Sequence, residues 1–286
     1  MTGREFLHLA ARRIYDTAPP EQKERDTASF EARALLLHFS DLSRESLPLR
    51  ADEVLPAEIE KSLLSAMEEK CAGRPLQYIL GEWEFYGLPM ACGEGCLIPR
   101  PETELLTEYV QKNLPQNGRF LDLCTGSGCI PTALLATRPD LCAAAIDLSK
   151  DALFYAEKNR DRYNLCDRLT LVCADVRTFS PEGLFDAVVS NPPYIRSEDM
   201  KKLSSEVLRE PHMALDGGED GLFFYRVIVR RFQSALRPDG FFAFEAGEDT
   251  TAGVRDILES EGFAAETIPD YSGIMRVVAG RRKEKA

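Results

Sequence analysis

Between Gly118 and Arg281 seven short apolar runs recur: RFLDLCT, CAAAIDLS, LTLVCAD, LFDAVVSN, GFFAFEAG, AAETIPD and MRVVAGR. The first five are rich in Val, Ile, Leu, Phe and Ala and show little polar alternation, so as strands they have no face to turn toward water. Such segments are buried on both sides, which is the condition of a parallel sheet covered by helices. The intervals predict helices over 128–137, 150–163, 221–236 and 249–261. A short YSGI turn joins the last two runs and predicts an antiparallel pair at one edge. The pattern is that of an open, doubly wound α/β domain, whose ligand belongs at the carboxyl ends of the strands.

The first 80 residues carry a different pattern. SFEARALLLHFS reads as a helix capped by Ser29 with an apolar set of Phe30, Leu35, Leu36, Leu37 and Phe39. PAEIEKSLLSAMEEKCAG opens on proline, repeats Ile59, Leu63, Leu64 and Met67, and stops at Gly73. These are helix start and stop signals, and a small helical bundle over 1–80 is expected. Aromatics, glycines and prolines then crowd in, predicting a β-hairpin linker over 81–98 that turns around Gly93–Gly95. The α/β domain follows over 99–286, opening on a helix from Pro101 to about Leu114 with Glu102 and Glu104 in its favourable first turn.

No apolar run approaches the roughly 18 residues of a membrane span, and MTGREFLHLAARRIYD lacks a signal-peptide pattern. A cytoplasmic protein is expected, without membrane association. The eight cysteines form no CxxC pair and read as free thiols in a reduced compartment. A disulfide framework is the lesser alternative, with Cys92 and Cys96 as a pair across the hairpin. His8, His38 and His212 lie far apart, and no metal site is expected. The net charge of −12 argues against a nucleic-acid grip, and the basic tail GRRKEKA reads as a solvated terminus. A protein or small-molecule substrate suits that charge better.

The chemistry gathers at strand ends. DLCTGSGCI places Gly126 and Gly128 where backbone can approach a ligand, though a tight turn alone needs the same glycines. Asp147 ends the next run, about 20 residues on, where an acid accepts hydrogen bonds from ribose hydroxyls. The plainer reading is a cap for the helix starting near Lys150, a task Ser149 could perform alone. Asp175 and Val176 end the third run, beside a place for adenine. Together these favour a nucleoside cofactor; a dinucleotide fits imperfectly because Pro131 takes the third glycine's place.

The fourth run ends in Asn191-Pro192-Pro193-Tyr194. Asn-Pro and Pro-Pro make turns, and a strand must end somewhere. The same residues also offer two rigid acceptors, the Asn191 side-chain carbonyl and the Pro192 backbone carbonyl. A planar NH₂ donates two hydrogen bonds and fits between them, with Tyr194 stacked on it to exclude water. Carbonyl dipoles would meet the charge developing on nitrogen, so no strong base is required and His212 is left out.

The frame D-x-x-T-G-S-G resembles motif I of class I S-adenosylmethionine (AdoMet) methyltransferases, with Cys124 in the first place of the usual glycine trio. NPPY is similar to the signature of methyltransferases acting on adenine N6, cytosine N4 or glutamine N5. LIPRPETELL, VSNPPYI and EPHMALDGGEDGLFFYRVI resemble the release-factor glutamine N5-methyltransferases of the PrmC/HemK family, and the likeness runs over nearly the whole chain. It implies a class I AdoMet-methyltransferase fold, Rossmann-like, with an N-terminal helical domain for substrate recognition. The implied reaction moves the AdoMet methyl to the glutamine of the Gly-Gly-Gln motif in class I release factors, leaving S-adenosylhomocysteine. Cys124, Thr125, Gly126, Ser127 and Gly128 would contact the methionine end, Asp147 the ribose and Val176 the adenine. Asn191, Pro192, Pro193 and Tyr194 would bind the glutamine. Asn191 would also lie near the cofactor, and Asn191, Pro192 and Tyr194 would carry the catalysis. Ile98 to Glu104 would border the pocket. A monomer is expected, with no direct nucleic-acid contact. The alternatives are a ribosomal-protein glutamine methyltransferase, a DNA adenine-N6 methyltransferase and a non-catalytic AdoMet-binding module.

Overall fold

The computed structural model describes residues 1–283. They cluster into two compact units: Met1–Gly81 together with Ser205–Arg209, and Glu82–Ser204 together with the chain from Glu210 onward.

The first unit is helical, with α1 (Gly3–Thr17), α2 (Arg25–Phe39), α3 (Leu47–Arg50), α4 (Ala57–Cys71) and α5 (Leu76–Leu80). Thr2 and Glu5 form a reciprocal capping box that satisfies free N–H groups at the start of α1. Phe6, Ala10 and Ile14 recur every fourth residue and form its buried stripe. Helix α2 differs from expectation at its start. It begins four residues before Ser29, whose hydroxyl donates back to the Arg25 carbonyl from inside the helix. The buried stripe is Ala28, Ala32, Leu35 and Leu36, while Phe30 is half exposed. Lys70 of α4 is buried, its ammonium 2.8 Å from Glu31 and paired also with Glu206 of the Ser205–Arg209 segment.

The second unit opens on a hairpin, β1 (Glu82–Phe85) and β2 (Leu88–Ala91). Its turn is Tyr86–Gly87, not Gly93–Gly95: Phe85 pairs with Leu88, and both turn residues have positive φ (55° and 72°). Two successive left-handed residues match the twist of the flanking strands. Gly93 and Gly95 serve packing instead. A Cβ at either would fall within 3 Å of Tyr155 or Asp151.

The remaining elements are α6 (Pro101–Asn113), β3 (Arg119–Leu123), α7 (Cys129–Thr137), β4 (Cys142–Asp147), α8 (Lys150–Arg162), β5 (Leu169–Cys173) and β6 (Phe185–Ser190). They continue through α9 (Phe223–Phe232), β7 (Leu236–Glu245), α10 (Thr251–Ser260), β8 (Phe263–Pro269) and β9 (Met275–Arg282). The sheet order is β5-β4-β3-β6-β7-β9-β8, parallel through the first five strands, with β9 antiparallel to both its neighbours. Alternate residues face opposite layers, and both layers are dry. Phe120, Val189, Phe241 and Val277 enter one core, Leu121, Val188, Phe242 and Val278 the other. The basic tail begins inside β9, where Arg281 and Arg282 pair with β8, and its residues 284–286 lie outside the described residues.

Strand order reverses between β3 and β6, which opens a crevice at their carboxyl ends. Leu123, Ser190 and Phe244 stand in register there, so Cys124, Asn191 and Glu245 follow side by side. Cys124 and Asn191 of that row line the site, and Glu245 is buried beside them.

Candidate active site

A pocket of about 340 Å³ opens at this edge. Its walls include Cys124, Thr125, Gly126, Ser127, Asp147, Val176, Asn191 and Pro193, together with Ile98 to Arg100 and Thr103. Gly128, Pro192 and Tyr194 are not among its wall residues.

The loop after β3 reverses through three left-handed residues, Cys124 (φ 59°), Gly126 (φ 57°) and Gly128 (φ 69°). Gly126 has open space where a Cβ would stand, whereas one at Gly128 would press against Ala156 at 3.1 Å. Gly128 therefore lets α8 approach the loop. Cys124 holds with an L side chain a conformation that glycine adopts freely, a cost of roughly 1–2 kcal/mol. Burial pushes its thiol far above the ordinary range, so it stays neutral.

Asp147 binds this loop directly. Its Oδ2 accepts from the Gly126 N–H at 2.8 Å and its Oδ1 from the Ser149 N–H at 2.8 Å. Burial raises its pKa, and these backbone N–H groups work against that rise. Ser149 separately caps α8 by accepting from the Ala152 N–H. Each Asp147 oxygen retains a second lone pair, so the carboxylate can still receive hydroxyl donors. Beside it, Leu148, Ala152, Ala174 and Val176 form an apolar slot. Asp175 at the rim is occupied by the Arg177 guanidinium, whose hydrogen bonds hold its carboxyl below the usual range.

Below the loop, Asp122 is fully buried; both its oxygens and the Thr125 hydroxyl oxygen lack hydrogen-bond partners. Burial pushes Asp122 up to about 7. A glycine cradle with free space, an acidic acceptor, an apolar slot and an unpartnered hydroxyl in the wall match the polar, hydroxylated and planar parts of AdoMet. The residues fit that group.

The far wall comes from β6. Asn191 donates from Nδ2 to the Thr103 hydroxyl at 3.2 Å, and Thr103 donates to Glu245 Oε2 at 2.6 Å. Tyr194 is seated by glycines. A Cβ at Gly217 would lie 2.6 Å from the Tyr194 Cα, one at Gly221 2.4 Å from its carbonyl oxygen, and one at Gly247 3.2 Å from its ring. The loop is strapped by Ile195 N–H to the Leu215 carbonyl and Gly217 N–H to the Ile195 carbonyl. His212 lies in the wall with its side chain largely exposed, 4.0 Å from Asp216.

Three supports have roles that the sequence does not disclose. Glu210, buried, accepts from the Ile98 N–H at 2.9 Å and from the Arg100 guanidinium, and so holds the proline-rich border of the pocket. Asn159 of α8, also buried, donates to the Ser127 carbonyl at 2.9 Å and bonds both backbone groups of Ala91. Glu245 lies 142 residues from its partner Thr103. Nothing local in the chain announces such pairs.

Two family models match: the methyltransferase small domain over residues 101–233 and the PrmC N-terminal domain over residues 21–81. The chain is 37% identical over 254 residues to the release factor glutamine methyltransferase of Thermodesulfovibrio yellowstonii, covering 87% of this chain and 90% of that one. It is 40% identical over 255 residues to the protein of the same name from Neisseria gonorrhoeae, covering 88% and 92%. Among solved structures, the hMettl16 catalytic domain in complex with MAT2A 3'UTR hairpin 1 superposes with a TM-score of 0.60 at 16% identity, covering 90% of this chain and 91% of that one. At that identity the likeness shows the fold alone.

Proposed function

The chain belongs to the release factor glutamine methyltransferases, and on that premise we propose that this pocket methylates a glutamine side-chain amide at N5, the glutamine of the Gly-Gly-Gln motif in class I peptide-chain release factors. The observation that carries the reading is the register of β3 and β6, which sets the amide of Asn191 beside the glycine loop in one pocket.

AdoMet would supply the methyl group and leave as S-adenosylhomocysteine. Cys124 to Ser127 would hold its methionine end, Asp147 its ribose and Val176 its adenine face. Asn191 Oδ1 and the Pro192 carbonyl, between two wall residues, would accept the two N–H groups of the glutamine amide. Held by both, the amide keeps its plane fixed and turns its nitrogen toward the cofactor, and proline rigidity lowers the ordering cost. The two carbonyl dipoles favour the positive charge that grows on nitrogen as the methyl arrives, and one of the two N–H protons they hold would then pass to solvent to leave neutral N5-methylglutamine. Tyr194, whose hydroxyl burial keeps protonated, would cover the amide and exclude water. The neutral Cys124 thiol adds no nucleophile that could compete for the methyl.

The helical unit would supply release-factor recognition away from the reacting residue. A net charge of −12 supports a protein substrate over nucleic acid. Eight free cysteines support a reducing compartment, and with it a cytoplasmic enzyme. No helix among the described residues is long and apolar enough to cross a membrane.

The test incubates the protein and labelled AdoMet with release factor, its Gln→Ala variant, ribosomal protein and DNA. Label is expected in release factor and absent from the Gln→Ala variant. Label that persists in that variant, or enters only DNA or ribosomal protein, overturns the reading. Asn191→Ala should abolish transfer and leave AdoMet affinity nearly unchanged.

A further inference from the structure

The amide of Asn191 is useful as a glutamine clamp only in one of its two orientations. Its carbonyl end must face the pocket, and nothing in an isolated Asn side chain prefers that end. The fold supplies the preference from behind. Glu245, at the end of β7, is 2% exposed, and Thr103, in the first turn of α6, is also 2% exposed. The Thr103 hydroxyl donates to Glu245 Oε2 at 2.6 Å and receives the Asn191 Nδ2 at 3.2 Å.

The hydrogen count makes this arrangement directional. An ionised carboxylate only accepts, so Thr103 must spend its single hydrogen on Glu245. Thr103 can then only accept from its other neighbour, and an amide meeting an acceptor must present N–H. We propose that Thr103 and Glu245 are positioning residues that fix the Asn191 amide with Nδ2 turned inward and Oδ1 turned to the substrate. The inference rests on the reading of Asn191 as the clamp for the glutamine amide.

The relay has a built-in proton dependence. Groups facing Glu245 are Glu102 and Thr103 from α6, Cys129 from α7, Arg276 from β9, Asn191 and Tyr194 from the segment after β6, and Tyr225 from α9, whose hydroxyl donates to the Glu245 backbone carbonyl at 2.8 Å. Burial pushes the Glu245 carboxyl up to about 7, opposed by the hydrogen bonds from Thr103 and Asn191 and by Arg276. When Glu245 takes a proton it can donate to Thr103. Thr103 is then free to donate onward, and the amide loses its reason to face one way.

The experiment compares wild type, Thr103→Val, Thr103→Ser and Glu245→Gln by two independent readouts. The first is kcat, KM for release factor and AdoMet affinity across pH 5.5–9. Thr103→Val should lower kcat about 10²-fold with AdoMet affinity and KM little changed, and Thr103→Ser should restore it. The wild-type kcat should fall as pH drops through about 7, and Glu245→Gln should abolish that limb. The second readout is the NMR signal pair of the Asn191 side-chain NH₂, assigned by its loss in Asn191→Ala. Thr103→Val should shift that pair and Thr103→Ser should leave it in place. Full kcat in Thr103→Val, or an equal loss of AdoMet affinity, overturns the relay. So does an Asn191 pair that ignores Thr103→Val. If Asn191→Ala keeps full transfer, the clamp reading falls while the NMR comparison still decides the relay.

Discussion

Asp122 sits beneath the glycine loop, and burial raises its carboxyl from 3.8 to about 7, with the nearby Thr125 hydroxyl opposing the rise and the charge of Asp147 adding to it. A folded-state pKa above the unfolded value means the native protein holds this proton more tightly. Its contribution to stability is therefore full below about pH 4, is lost as pH rises toward 7, and is flat beyond. At about 1.4 kcal/mol per unit, the loss is of order 4 kcal/mol. Asp122→Asn keeps the shape without the charge, so urea unfolding should find its advantage over wild type about 3 kcal/mol larger at pH 8 than at pH 4.5. Lys70 presents the opposite case. Burial opposes its charge, yet Glu31 and Glu206 outweigh burial and raise its pKa. Lys70→Met leaves the part-buried Glu31 and the one-third-exposed Glu206 without their cation, and a loss of about 1–3 kcal/mol is expected. Glu31→Gln added to that variant should recover part of it in the same denaturant titration.

At the scale of elements, the loop after β6 is shaped by residues far along the chain. Gly217 lies against the Tyr194 Cα and the Pro193 carbonyl, and backbone cannot retreat from a new Cβ at 2.6 Å and 2.7 Å. Gly217→Ala should displace the Asn-Pro-Pro-Tyr turn. Transfer to release factor should fall about 10²-fold or more, while isothermal titration finds AdoMet affinity close to wild type. The inner strands were legible, because a strand buried on both faces must be apolar throughout; β5, at the sheet's edge, is apolar in sequence yet only partly buried. The hairpin was legible as a hairpin but not in its turn. Gly93 and Gly95 stood out by type, yet they answer to Tyr155 and Asp151, while Tyr86 enters a left-handed turn that its side chain does not advertise. Ser29 misled in the same way, since a hydroxyl can cap a helix or bond back within one. Of the pocket, the glycine loop, Asp147 and Asn191 could be read because each ends an apolar run. Thr103 could be placed at the pocket's border, within Ile98 to Glu104, but its pairing could not, nor could the roles of Glu210 and Glu245, because their partners become neighbours only after the sheet has formed.

For the whole molecule, the proposed reading assigns chemistry and substrate recognition to different units, because one glutamine side chain cannot specify a folded protein. Each pocket wall residue comes from the second unit, beginning at Gly95. Cofactor affinity should therefore reside in that unit, while recognition of a folded protein needs surface beyond one side chain. Two modest contacts on one chain reinforce each other by effective concentration, commonly by a factor of about 10²–10⁴. Removing residues 1–81 should leave AdoMet affinity near wild type and raise KM for intact release factor by about 10²-fold. Transfer to a short Gly-Gly-Gln peptide should change far less, because such a peptide engages the pocket alone. The deletion also strips Ser205–Arg209 of the unit it clusters with. Glu206→Ala in the full chain serves as the control, since it loosens that segment while keeping the helices. If the control alone reproduces the rise in KM, local disorder explains it; if KM rises only in the deletion, the helical unit carries the recognition. A deletion that methylates intact release factor at the wild-type KM would remove that unit from substrate selection.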